Sequence, residues 1–276
     1  MRLNKNMFSL NIYRTYSNNI SKGSKALNNI SSGMKINSAK DNPSKIGQNE
    51  NLKITLLSSK KAEQNIQDTN SMIQTFDSSM QEVNDMLGRM RQLTVQASNG
   101  SLSSDDVNAV QDEIDSLRDG IKDIVNNTEF NGIGMSDESV TGFDANYKKS
   151  IIGALGDESV DIPYYNLSIE NLGIDNLDMT KGTENLGAID NAITMVSRVR
   201  GNYGAIQNSL EETAENLSAK NINFQSAQSK IGDADVSKEY LKYSTSQILV
   251  QSSISLIAQA NNIPQDALQI LGNIPR

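Results

Sequence analysis

The sequence contains no cysteine, no histidine and no tryptophan. Without cysteine there are no disulfides, thiolate nucleophiles or cysteine metal ligands, and without histidine the commonest general base and transition-metal ligand is missing. Aromatic residues make up only 5% of the chain, so the large rings that fill compact cores and ligand pockets are scarce. These absences argue against an enzyme, and we expect no catalytic residue, no cofactor and no metal.

Charge is distributed unevenly along the chain. Residues 1–41 contain seven basic and one acidic side chain, a net charge of +6, whereas residues 42–232 contain 15 basic and 28 acidic side chains, a net charge of -13. The basic residues of the first segment are single and dispersed, which favours a solvated helix face or a contact with acidic neighbours over a nucleic-acid site. We therefore expect no nucleic-acid partner.

The two ends of the chain lack the features of signal peptides and membrane spans. The first residues contain no unbroken apolar run of the kind found in a secretory signal peptide. No charged residue occurs between Lys242 and Asp266, but the serines, glutamines and asparagines of this stretch would be costly in hydrocarbon. We expect neither a cleaved signal nor insertion into a membrane.

Apolar residues recur at alternating steps of three and four, which predicts helices packed side by side. A first helix runs to about Ile36 and is followed by a break at Asn42 and Pro43. The spacing predicts a second helix over 44–98, a third after a capping pattern at Ser103 and Asp106, a fourth over about 186–231 and a last one ending near 271. Glycine-rich residues of the central region, about 133–185, indicate hairpins and loops.

Helices of this length are too long to bury themselves in a compact ball, so they must lie along each other. The predicted fold is mainly α: a long antiparallel helical bundle or coiled-coil rod with a small β-hairpin region, plus paired terminal helices. We expect residues 1–42 with 233–276 to form a terminal-helix domain and residues 43–232 to form the rod. The apolar surface of the last helix is wider than one partner helix would cover, so the terminal pair should become ordered on assembly.

Six segments resemble the flagellin family. They are residues 31–41, 88–100, 128–132, 217–219, 229–235 and 258–265. The resemblance covers about residues 1–132 and 186–271, and the short middle indicates that large outer domains are absent. It implies a non-enzymatic structural subunit that is exported by the flagellar type III apparatus and polymerises outside the cell into a filament for motility, with the terminal-helix domain forming the filament core.

The resemblance also implies partners. These are further copies of the chain, the flagellar cap and hook-junction proteins, and an export chaperone on the C-terminal region. We assign the polymerisation seam to the large apolar residues of the two terminal helices: Leu3, Met7, Leu10, Ile20, Leu27, Leu249, Ile254, Leu256, Ile257 and Ile263.

Many flagellins are recognised by the host Toll-like receptor 5, and by motif matching Arg89, Leu93 and Glu113 correspond to receptor contacts. Residues four apart share a helix face, so a guanidinium at Arg89 could stand beside an apolar anchor at Leu93. The alternative interpretation is that Arg89 and Glu113 serve subunit contacts or a surface ion pair.

Two other functions are compatible with the same pattern. One is a hook-filament junction protein of the same superfamily, which would also have paired terminal helices. The other is a secreted immune ligand or adhesin that does not polymerise. The flagellin-associated metalloprotease is disfavoured because it needs histidines that this chain lacks.

Overall fold

The computed structural model describes residues 6–99, 102–154, 158–179 and 183–272. These residues form six helices and four strands. In chain order they are α1 (Met7–Ser32), α2 (Pro43–Ala97), α3 (Ser104–Asn127), β1 (Glu129–Phe130), β2 (Ile133–Gly134), β3 (Ala145–Ile151), β4 (Ser159–Tyr165), α4 (Ile169–Leu172), α5 (Thr183–Gly232) and α6 (Val236–Gly272). The mainly α fold with a small hairpin region is confirmed.

Local sequence signals account for the helix ends. The first helix ends at Ser32, before the predicted Ile36, because Gly33 adopts the left-handed conformation with φ 68° and caps it. Pro43 is the first residue of α2, where its missing N–H costs no hydrogen bond. At α3, the Ser103 hydroxyl accepts from the Asp106 amide while the Asp106 carboxylate accepts from the Ser103 amide, so the predicted capping box is present.

Backbone packing divides the chain into two compact units. Unit 1 comprises Met1–Ile54 and Asn223–Arg276, and unit 2 comprises Thr55–Ile222. The division falls inside α2 and α5, whereas the domain limits expected at residues 42 and 233 lie at the breaks between helices. Those limits stay a prediction about functional domains.

The core of unit 2 is a heptad seam along α2. The buried positions of this helix alternate in steps of three and four from Ala62 to Ala97, which keeps one stripe facing its partner helices. The positions that follow this spacing are Ala62, Ile66, Thr69, Ile73, Phe76, Met80, Val83, Leu87, Met90, Thr94 and Ala97, and Met72 and Leu93 beside them are also buried. Residues of α3 and α5, among them Ile114, Ile121, Ile189 and Val196, complete the same core.

The central region of unit 2 packs one hairpin against this core. Strands β3 and β4 pair antiparallel over seven residues each. Tyr164 of β4 meets Phe76 of α2 edge to face at a centroid distance of 6.1 Å, and the hydroxyl of Tyr203 on α5 donates to the carbonyl of Pro163 at 2.9 Å. Burial raises the pKa of the Tyr203 hydroxyl, which therefore stays a neutral donor.

Unit 1 contains the antiparallel pair of α1 and α6. Within the described ranges, no helix combines the length and apolarity needed to cross a membrane.

We expect Leu87→Ala to lower the free energy of unfolding by about 2–5 kcal/mol, because Leu87 is fully buried and its truncation leaves a cavity. The matched control is Leu57→Ala on the same helix, where the side chain is 57% exposed. This control should change stability by no more than about 0.5 kcal/mol. Urea unfolding followed by circular dichroism measures both, and equal losses would contradict the core assignment.

Candidate assembly surface

The seam between α1 and α6 is made of small and polar side chains. In α6 the buried positions recur every seven residues as Glu239, Ser246, Ser253 and Ala260. The facing helix contributes Ile12, Asn19, Gly23, Ala26 and Asn29. A seven-residue repeat keeps these positions on one stripe, so the pairing is a coiled-coil contact built largely without large apolar side chains.

Small residues let the two helices approach closely at the middle of the seam. A Cβ atom added at Gly23 would lie 3.4 Å from the Cβ atom of Ser246, so an alanine would just fit and a larger side chain would push the helices apart. The small volume of these side chains therefore sets the distance between the two helices.

Hydrogen bonds at both ends fix the register. Near the start of α1, the Asn6 side-chain amide donates to the carbonyl of Ala260 at 2.7 Å. Beyond its end, the Lys35 amide donates to the carbonyl of Gly232 at 2.7 Å and the Ala234 amide to the carbonyl of Gly33 at 2.9 Å. A one-residue slip would break all three bonds.

One buried carboxylate lies in the seam. Glu239 accepts a hydrogen bond from the Asn29 side chain at 3.4 Å and pairs with Lys242. The Lys242 ammonium, followed by Asn29, lowers the pKa of the Glu239 carboxyl below its usual value, although partial burial opposes this. Because the folded-state pKa is lowered, this carboxylate stabilises the pair at neutral pH, and the contribution is lost as the pH falls from the ordinary glutamate pKa through the lowered one.

Most of the residues assigned to the polymerisation seam lie outside the contact between α1 and α6. Eight of them are between 42% and 64% exposed: Met7, Leu10, Ile20, Leu27, Leu249, Ile254, Leu256 and Ile263. Ile257 is half-buried, and Leu3 lies outside the described residues. Unit 1 thus presents large apolar side chains on both helices that no partner helix of the subunit covers.

The three residues matched to receptor contacts lie in unit 2 and differ in their exposure. Arg89 of α2 and Glu113 of α3 form an ion pair at 2.8 Å, with about half of each side chain exposed. Leu93 is 2% exposed and belongs to the core. Residues four apart differ by about 40° around a helix, and here that rotation turns Leu93 towards the bundle. Leu93 therefore does not stand beside Arg89 on the surface of this subunit, and the receptor role of the three residues stays a prediction.

Hydrophobic periodicity missed the small-residue seam, because it counts only large apolar positions. Asn19, Gly23, Ser246 and Ser253 are the residues that it overlooked. The signal that could have found them is the seven-residue spacing of Ser246, Ser253 and Ala260 within an uncharged stretch. Among the residues that the structure describes, no group of three or more acidic side chains could hold a metal ion.

The described geometry defines a helical-bundle protein whose paired terminal helices expose an uncovered apolar surface. Family models for the bacterial flagellin N-terminal and C-terminal helical regions match residues 3–141 and 186–271. The flagellin of Bacillus subtilis (strain 168) is 35% identical over 98% of this chain and 100% of its own length. The chain belongs to the bacterial flagellin family.

Two further comparisons extend this result. The flagellar filament 30.7 kDa core protein of Treponema maltophilum is 30% identical over 98% of this chain and 100% of its own length. A putative flagellar hook-associated protein from Vibrio parahaemolyticus superposes with a TM-score of 0.57, covering 70% of this chain and 100% of that one at 17% identity. At that identity the superposition shows a shared fold.

The pairing of α1 with α6 can be tested with a disulfide, because the chain has no cysteine of its own. The double variant Gly23→Cys, Ser246→Cys should form an intramolecular bond on mild oxidation, since the two Cβ positions are 3.4 Å apart and disulfides join Cβ atoms about 3.5–4.5 Å apart. Mobility on non-reducing gels and intact mass measure the bond.

The matched control is Gly23→Cys, Ser253→Cys, in which the second cysteine lies one heptad, about 10 Å, further along α6. It should stay reduced or form only intermolecular bonds. Equal intramolecular yields from the two variants would contradict the register described here.

Proposed function

We propose that this chain is a structural subunit of the bacterial flagellar filament and polymerises through α1 and α6. The observation that carries the proposal is the set of large apolar side chains on both terminal helices that the subunit leaves exposed. Large apolar side chains exposed in this number are typical of a surface that another protein covers. Further copies of the chain are the proposed partner.

The energetics favour assembly over a free monomer. Burying one large aliphatic side chain stabilises a contact by about 1.5–3 kcal/mol. Several such contacts for each subunit are enough to offset the loss of translational and rotational freedom, which costs about 4–15 kcal/mol. The small-residue seam supports the same proposal, because it joins the helices without using the apolar residues that a neighbour would need.

The comparisons support a structural role rather than catalysis. Relatives at 30–32% identity are named flagellar filament core proteins, including the 33 kDa protein of Treponema phagedenis. A subunit of this kind works through packing and needs no titratable catalytic group. The proposal therefore includes a non-enzymatic role in motility.

The finer parts of the proposal concern location and partners. The filament lies outside the cell, and the subunit reaches it by flagellar type III export. The proposed partners besides other copies are the cap protein, the hook-junction proteins and an export chaperone that covers the apolar surface of α6 before assembly. The exposed Leu249, Ile254 and Leu256 support a chaperone contact because they would otherwise promote premature association.

The alternative within the flagellum is a hook-filament junction protein. The fold that the chain shares with a hook-associated protein is compatible with this alternative. Abundance separates the two, since a filament subunit dominates sheared surface material. A free immune ligand or adhesin is the other alternative, and it would leave filaments unchanged when the gene is deleted.

Elongation of filament seeds tests the proposed function. Full-length protein should elongate seeds, and a version lacking residues 1–40 and 236–276 should not, because it lacks both terminal helices. Equal elongation by the two proteins, measured by light scattering and electron microscopy, would refute assembly through these helices.

A point variant makes the same test without removing a helix. Leu256→Ser should raise the critical concentration for elongation about tenfold or more, as expected from the loss of ~1.5–3 kcal/mol of apolar burial. The control Leu57→Ser makes the same change at an exposed leucine of α2.

Recognition by Toll-like receptor 5 is a second candidate function. The exposed ion pair of Arg89 and Glu113 supports it, because a guanidinium fixed on a rigid helix suits an interface anchor. The buried Leu93 weighs against a full set of contacts.

The neighbouring arginines of α2 provide a matched pair for this test. Arg89→Ala monomer should activate receptor-bearing cells at least about tenfold less than the unchanged protein, since anchor residues carry much of an interface's energy. Arg91→Ala also removes a half-exposed arginine with one ion pair, to Asp190. Equal activity of Arg89→Ala and Arg91→Ala monomers would count against the receptor role.

A further inference from the structure

One side of the α1 and α6 pair contains a groove of about 510 Å³. Four lysines line it, Lys22 and Lys25 from α1 and Lys238 and Lys242 from α6, together with the exposed Leu241 and Leu249. The opposite side of the pair is different, because its smaller groove is lined by Ile20, Leu27, Tyr243 and Val250 and by fewer charges. We call the first of these the basic groove.

The basic groove has an excess of positive charge. Lys25 pairs with Asp41 at 2.7 Å, and Lys242 pairs with Glu239. Among the described residues, Lys22 and Lys238 form no ion pair. Glu239 also lines the groove and interacts electrostatically with Lys238, but the four lysines outnumber it, so the groove attracts a negatively charged occupant.

A buried polar group between the two grooves is also unsatisfied. Asn19 lines both grooves and is 5% exposed, and its side-chain Nδ2 has no hydrogen-bond partner among the described residues. A buried donor without an acceptor costs free energy, which an oxygen-bearing occupant would reduce. The lysines of the basic groove favour an anionic occupant, and a carboxylate satisfies both requirements.

Charge is segregated between the two units of the chain. Unit 1 contains 13 basic and 6 acidic side chains, a net charge of +7, whereas unit 2 contains 12 basic and 27 acidic side chains, a net charge of -15. Two copies of unit 1 repel each other, and unit 1 of one copy attracts unit 2 of another. A second copy can thus supply the acidic partner.

A segment of unit 2 with the required charge is on α5. Glu211, Glu212 and Glu215 are exposed, and none of them forms an ion pair within the described part of the chain. Glu211 and Glu215 are four residues apart, so they lie on one face of α5, one helical turn apart. Lys220 is the only basic residue between Arg200 and Lys230. We call these three glutamates the acidic face.

We propose that the basic groove of one copy receives the acidic face of α5 from a second copy. This inference rests on the proposed function, because it places the contact within the filament. A third helix lying along α1 and α6 would bring its carboxylates to Lys22 and Lys238 and would also cover Leu241 and Leu249. The resulting contact is electrostatic, in contrast to the apolar contacts of the remaining surface of the pair.

Complementary charge reversal tests the contact in full-length protein. The variants Lys22→Glu, Lys238→Glu and Glu211→Lys, Glu215→Lys should each elongate filament seeds at least about tenfold more slowly than the unchanged protein at low salt. An equimolar mixture of the two variants should regain most of the rate, because each groove then meets a face of opposite charge. Raising the salt concentration should shrink the differences.

The matched control is Lys45→Glu, Lys53→Glu, which reverses two exposed lysines of unit 1 outside the groove. Circular dichroism verifies that all variants are folded. Elongation by Lys22→Glu, Lys238→Glu at the control's rate would overturn the inference, as would a mixture that shows no recovery. If the unchanged protein itself fails to elongate seeds, the proposed function fails, and that result is distinct from either of these.

Discussion

The pairing of α1 with α6 through small side chains is the constraint on which the rest of the structure depends. Gly23 and Ser246 let the helices approach so closely that no large side chain fits between them at the middle of the contact. The large apolar residues of both helices are consequently left on the outside of the pair. The pair of α1 and α6 therefore has a defined register. It also keeps exposed apolar area that only a neighbouring protein can bury.

Unit 2 is packed in the opposite way, with its large apolar side chains on the inside. Its heptad positions carry large side chains, so α2, α3 and α5 bury their apolar stripes against one another within one subunit. Tyr164 and Tyr203 then attach the hairpin to the bundle. The same chain thus contains one unit that buries its apolar side chains in its own core and one that leaves large apolar side chains exposed. This difference separates the structural role of unit 2 from the assembling role proposed for unit 1.

Charged side chains act in two ways, through ion pairs within unit 2 and through the net charges of the two units. Several ion pairs of unit 2 are at its surface, for example Arg89 with Glu113 and Arg91 with Asp190, and exposed pairs of this kind contribute little to stability. Net charge, by contrast, acts over longer distances, and the opposite signs of the two units favour contacts between unlike units of different copies.

The sequence by itself determined the five long helices and the ends of α2, although it placed the end of α1 four residues too late and did not predict α4. Spacing in steps of three and four located α2 to within one residue at each end, Ser103 with Asp106 marked the start of α3, and the apolar width of α6 indicated an uncovered surface. These features depend on residues close together in the chain, where helix geometry and capping act. Three of the family motifs, residues 31–41, 128–132 and 229–235, lie at helix breaks or turns, and the others lie wholly or mainly within helices.

Only the tertiary structure decided which face of each helix meets which partner. It turned Leu93 into the core while leaving Arg89 exposed, it joined Asn6 to Ala260, and it placed four lysines from opposite ends of the chain around one groove. Such contacts depend on register between segments that are distant in the chain, by more than 200 residues for α1 and α6. Packing volume and hydrogen bonds across the contact select this register, and local periodicity does not encode it.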